Sequence, residues 1–144
     1  TDTYDDNLFY KANMILHKIY PLYKSLNLSI RSWNQYINSL GIVMNPARKI
    51  RYGGINNLRG YLDNQFKSNK ISIQTLELHL QNSSFFRLLL FFDMGLVPKQ
   101  LPKSSFGFGI HKLTNKALLE VQYAIPKSTS LLNGKIHFKW TSRL

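Results

Sequence analysis

The chain has 144 residues, 44% of them apolar, enough for one compact domain with a buried core. Lys and Arg number 19 against 7 Asp and Glu, a net charge of +12; Asp2, Asp5 and Asp6 open the chain, so residues 7–144 carry 19 basic and 4 acidic side chains, or +15. The absence of Cys excludes disulfides, thiolate metal sites and cysteine nucleophiles, and so few carboxylates argue against two-carboxylate hydrolysis and carboxylate-held magnesium.

In chain order, the acidic start leads into a periodic segment. Leu8, Met14, Ile15, Ile19 and Leu22 fall near helical spacing, with Asp5 or Asp6 as N-cap and Pro21 as kink or end. A second helix is predicted from Ile30, Trp33, Ile37 and Leu40, capped by Ser29 and stopped at Gly41. Residues 45–57, with Pro46 and the pair Gly53–Gly54, read as a loop or short edge strand. Leu58 to Phe66 reads as a short helix with Leu58, Tyr61, Leu62 and Phe66 on one side and Arg59 among them.

Ile71 and Ile73 alternate, and Leu76, Leu78 and Leu80 alternate again after a phase slip at Gln74–Thr75. A strand with a bulge is the first reading there and a helix the second. Phe85 to Met94 is apolar nearly all round and reads as a helix at the centre of the core, ended by Gly95. Pro98 to Gly109 reads as an extended basic loop. Leu118 to Ile125, closed by Pro126, reads as a strand, and Lys135 to Thr141 as another, with Ile136, Phe138 and Trp140 alternating with Lys135, His137 and Lys139. No segment reads as a membrane span: the most apolar run, Phe85 to Val97, is interrupted by Arg87 and Asp93 and is too short to cross a bilayer, so no transmembrane segment is expected. The start at Thr1 suggests a processed or trimmed polypeptide.

These elements predict a single α+β domain over residues 1–144. Residues 1–44 are its helical N-terminal part. Residues 45–144 are an α+β core with basic loops: a small, mostly antiparallel sheet, a central apolar helix and a C-terminal β-hairpin.

Catalytic patterns are missing. The four histidines, His17, His79, His111 and His137, are too dispersed for a metal pair and read as surface or phosphate-adjacent groups. No serine elbow and no nucleotide-binding glycine motif occurs. No enzyme activity, cofactor or metal is expected. The signal lies in the basic clusters: Arg48, Lys49 and Arg51 beside Tyr52; Lys99 and Lys103 near Phe106; Lys112 and Lys116; and Lys135, Lys139 and Arg143. Cations among aromatics in Gly/Pro loops suit phosphate contact and base stacking, so these twelve residues are the candidate RNA-binding set. Trp33, Phe85, Phe86, Phe91 and Phe92 are assigned to the core.

Residues 71–119 also resemble the second half of a winged-helix domain: a segment ISIQTLELHL, a turn QNSS, a helix FFRLLLFFDM and then GLV. HKLTNKALLE is similar to the end of the wing in multiple-antibiotic-resistance-type regulators, and the resemblance implies DNA binding through Phe85 to Met94. The first functional reading remains a non-enzymatic, rRNA-binding structural protein of a mitochondrial ribosome, located in the matrix. It would contact rRNA phosphates through its loops, beside neighbouring ribosomal proteins. A winged-helix DNA-binding protein is the alternative, followed by a viral matrix-type protein on anionic membrane.

Overall fold

The computed structural model describes residues 9–39 and 46–142, apart from the side chain of Asn82. Nine strands are formed among them: β1 (Phe9–Tyr23), β2 (Leu26–Ser39), β3 (Ile50–Tyr52), β4 (Phe66–Ser68), β5 (Lys70–Ser83), β6 (Phe86–Leu96), β7 (Lys103–Leu113), β8 (Ala117–Pro126) and β9 (Lys135–Ser142). The helical turns among the described residues are two 3-10 segments, Pro46–Arg48 and Leu131–Asn133. Seven strands make one antiparallel sheet in the order β1-β2-β5-β6-β7-β8-β9, while β3 and β4 form a separate hairpin. Tight turns join β1 to β2, β5 to β6 and β7 to β8 at one end of the sheet. The longer connections leave from the other end.

The α+β expectation is therefore wrong: the described chain is nearly all β. The segments read as N-terminal helices are β1 and β2, paired continuously from Phe9↔Ser39 to Pro21↔Asn27. The supposed short helix Leu58 to Phe66 is an irregular segment leading into β4. The expected central helix is β6, and half of the expected basic loop is β7. The 70–80 segment is a strand, but it carries no bulge at Gln74–Thr75; its register breaks between Gln81 and Ser83. The two C-terminal strands stand where the alternation put them, paired Ala117↔Ser142 to Ala124↔Lys135. The expected helix caps Asp5, Asp6 and Gly41 lie outside the described residues.

Successive residues of a strand point to opposite faces, and here the two faces differ in chemistry. On one face the outward residues align in apolar rows across the sheet, such as Leu28–Leu78–Leu90–Phe108–Tyr123–Ile136 and Leu26–Leu80–Leu88–Ile110–Val121–Phe138. Leu90 on this bare face is 59% exposed, Phe108 56% and Phe138 61%. On the other face lie Ser29, Thr75, Glu77, His79, Asp93, Ser105, His111 and Gln122, all buried or half-buried. The β3–β4 hairpin and its connecting segment pack on this second, covered face. Ile50, Tyr52 and Leu58 meet Ile37, Ile71 and Ile73 there, with Trp33, Tyr61, Phe66 and Val97 at the margin. The usual order is thus reversed: polar groups are inside and a broad apolar surface is outside. Among the described residues no helix is long and apolar enough to cross a membrane, which says nothing of crossing by strands.

Candidate functional site

The segment between β3 and β4 is shaped by its own polar groups. Gly53 and Gly60 take φ of +114° and +86°, a region open to glycine at little cost. The Asn57 side-chain oxygen accepts from the backbone N–H of Gly53 and of Leu58, both at 2.7 Å. This fold presents Leu58 and Arg59 to the sheet. Leu58 is fully buried, and it lies against Gly95, where a Cβ would come within 3.1 Å of its Cδ2.

Arg59 enters the covered face beside it. Its Nε donates to Asp93 Oδ2 and its Nη2 to Asp93 Oδ1, each at 2.7 Å, and its backbone N–H donates to Oδ2 at 3.1 Å. Nη1 donates to Glu77 Oε1 at 2.6 Å and to Gln122 Oε1 at 3.2 Å. The guanidinium carbon sits 3.6 Å from the centroid of the Phe91 ring. Phe91 can lie there because Gly107 faces it: a Cβ on Gly107 would be 2.6 Å from Phe91 Cζ. The side chains of Arg59 and Asp93 are 4% and 0% exposed. Burial alone would lower the Arg59 pKa; the hydrogen bonds and charges of Asp93 and Glu77 outweigh it and hold the guanidinium above its usual value. Burial pushes the Tyr52 and Tyr61 hydroxyls up as well.

A second ring of contacts surrounds this pair. His79 Nε2 lies 2.8 Å from Glu77 Oε2, His111 Nε2 lies 3.2 Å from Glu120 Oε1, and Gln122 Nε2 lies 3.1 Å from His111 Nε2. His137 Nε2 accepts from the Gly60 backbone N–H at 3.0 Å. Lys139 donates to Asn56 Oδ1 at 2.9 Å and is 3.9 Å from Glu120. Groups on β5, β6, β8 and β9 therefore fix one short segment. The Thr75 and Ser105 hydroxyls, register neighbours of Asp93 on either side, are buried without a hydrogen-bond partner. No group of three or more His, Asp or Glu among the described residues is placed to hold a metal. The geometry is that of an anchor for the segment.

The basic residues singled out in the sequence do not converge. Arg48 stacks on the Phe9 ring at 4.4 Å, Lys49 is half-buried, and Arg51 is exposed on β3. Tyr52, expected as an exposed stacking group, is 1% exposed in the core. Lys99 lies in the β6–β7 turn and Lys103 over the Phe66 ring, at the end of the sheet opposite Lys112 and Lys116. Phe106 is on the bare face, and Lys135 and Lys139 are on β9, facing the covered side with His137. Arg143 lies outside the described residues. Of the histidines expected at the surface, His79, His111 and His137 are drawn into the network above on the covered face, while His17 on β1 is exposed. Sequence reasoning missed Arg59 and Asp93. Their signal was a charge set among apolar residues: Arg59 between Leu58 and Tyr61, and Asp93 between Phe92 and Met94.

Fold and site define an all-β protein with a bare apolar face and a segment anchored through a buried arginine on the opposite face. Residues 1–140 match the family model of the Omp85 superfamily domain, and the chain belongs to that family. No curated protein matches the chain. Membership overturns the ribosomal, rRNA-binding reading and its ribonucleoprotein setting. The winged-helix resemblance falls with it, since ISIQTLELHL and FFRLLLFFDM are adjacent strands of one sheet. Omp85-family proteins are found in the outer membranes of bacteria and organelles, so an organellar location is compatible and the matrix has no support.

Proposed function

We propose that this chain forms part of the wall of an outer-membrane β-barrel, with the bare face against lipid and the Arg59 segment held inside the barrel. Its role lies in outer-membrane protein biogenesis or transport, without chemistry of its own, and an organellar outer membrane is the setting we favour. The reading rests on the segregation of the two faces. Alternation of apolar-out and polar-in along strands, with short turns at one end and longer loops at the other, is what a bilayer demands of a barrel wall. The outward residues of β6, from Phe86 to Leu96, are all apolar over 11 residues, the length a tilted strand needs to cross the hydrocarbon. Closure removes exposed sheet edges from lipid, so β1 and β9, at the two edges of this sheet, would pair with further strands.

A test uses β9. Single cysteines bearing nitroxides at positions 135–140 of the full-length protein in lipid bilayers should alternate. Labels at Ile136, Phe138 and Trp140 collide with oxygen dissolved in the bilayer, and those at Lys135, His137 and Lys139 with a water-soluble relaxant. Equal access of the water-soluble agent to all six would refute the lipid-facing assignment.

A further inference from the structure

The bare face is not uniformly apolar. On β2 the outward residues run Leu26, Leu28, Ile30 and then Ser32, Asn34, Tyr36. On β5 they run Leu80, Leu78, Leu76 and then Gln74, Ser72, Lys70. The row Leu16–Ser32–Gln74–Met94 and the next, Met14–Asn34–Ser72–Leu96, show polar pairs framed on both sides by apolar residues of β1 and β6. This is a notch in the apolar belt, at the end of the sheet that carries the long connections. The notch has an internal order. Asn34 Nδ2 donates to Ser32 at 2.8 Å, Ser72 donates to Asn34 Oδ1 at 2.6 Å, and Gln74 Nε2 donates to both serines. Beside it, Ala12 leaves a depression of about 200 Å³ bordered by Met14, Tyr36, Lys70 and Ser72.

We infer that this notch binds the phosphate of an anionic membrane lipid, its acyl chains lying over Ile30 and Leu76. The inference rests on the barrel reading above. Charge selects the occupant: Glu77, Asp93 and Glu120, the carboxylates of the described strands, all lie on the covered face, whereas the charges of the bare face are Lys18, Lys70 and Lys112. Lys70 is exposed, and its ammonium has no partner among the described residues. Donors remain for phosphate oxygens. Asn34 Nδ2 keeps a second N–H, and Tyr36 accepts from Tyr10, leaving its own O–H to donate. A cation, an amide and a phenol above an apolar slope fit a headgroup with its chains, and tyrosine and lysine suit that depth.

The test is lipid retention by the full-length protein, drawn from nanodiscs of phosphatidylcholine with a minority of phosphatidylglycerol and read by native mass spectrometry. The wild type should retain phosphatidylglycerol above its share in the disc. Lys70→Gln should cut that enrichment about fivefold, the worth of one cation beside an anionic headgroup. Asn34→Leu with Ser72→Val should abolish it while Lys112→Gln leaves it in place. Absence of enrichment, or enrichment indifferent to Lys70→Gln, would overturn the site; so would a crosslinker at Ala12→Cys that captures protein rather than lipid in native membranes. In the same discs, brominated acyl chains should quench the fluorescence that Trp140→Phe removes. Quenching without lipid enrichment defeats the notch alone, and no quenching defeats the barrel reading as well.

Discussion

Replacing Arg59 with Ala should be among the most costly single changes in the chain. The substitution deletes the two guanidinium hydrogen bonds to Asp93 and one each to Glu77 and Gln122, and leaves only the backbone N–H of residue 59 on Asp93. It leaves a carboxylate that is 0% exposed, and a second that is 18% exposed, facing no guanidinium. Breaking a buried pair from one side costs about 3–5 kcal/mol, because the remaining charge stays desolvated. Urea unfolding of the reconstituted full-length protein, followed by intrinsic fluorescence, measures that loss. Arg59→Lys should fall between wild type and Ala, since an ammonium cannot reproduce the planar fork that serves Asp93, Glu77 and Gln122 together or lie flat on Phe91. Arg59→Met combined with Asp93→Leu should recover part of the loss, as apolar replacements of buried pairs do. A loss below about 1 kcal/mol for Arg59→Ala is the figure for an exposed pair, and it would refute the anchor.

Three further outcomes follow from the packing of the sheet. Gly107→Ala should destabilise by roughly 1–3 kcal/mol in the same urea assay, because the new methyl meets Phe91 and the Tyr123 carbonyl. Leu90→Arg, in the middle of the bare face of β6, should cost about 2–4 kcal/mol in bilayers, while the same change at the exposed turn residue Leu101 should be nearly neutral. Lys139→Gln should change stability by no more than about 0.5 kcal/mol, since its ion pair with Glu120 is long and its side chain is 41% exposed; a larger shift in the urea midpoint would show that Lys139 carries more of the anchor than an exposed contact does.

The sequence was legible where one face alone is apolar. On β9, Ile136, Phe138 and Trp140 alternate with polar residues along the whole strand, and the period of two is plain. Elsewhere the apolar character changes sides. On β2 it is outward at Leu26, Leu28 and Ile30, then inward at Trp33 and Ile37 where the β3–β4 segment covers the sheet. Spacing across such a crossover mimics a helix. The slip at Gln74–Thr75 is the same crossover on β5, from Ile71 and Ile73 under the segment to Leu76 and Leu78 on the bare face. β6 is apolar on both faces over the stretch where Phe91 and Leu89 meet the interior, so it read as a buried helix. The charge was misleading for a related reason. Glu77, Asp93 and Glu120 are paired on the covered face, whereas the cations are scattered over both ends of the sheet. The anchor itself is a contact across 34 residues, and only the fold makes Arg59 and Asp93 neighbours.

The central claim, an apolar wall against lipid with Arg59 locked on its inner side, is open to one direct measurement: an electron cryomicroscopy map of the full-length protein in a lipid nanodisc. Acyl-chain density should lie against Leu78, Leu90 and Phe108, and the Arg59 guanidinium should sit on Asp93 on the opposite face of the sheet. A map with water or protein domains over the leucine rows, or with Arg59 withdrawn from Asp93, would contradict it.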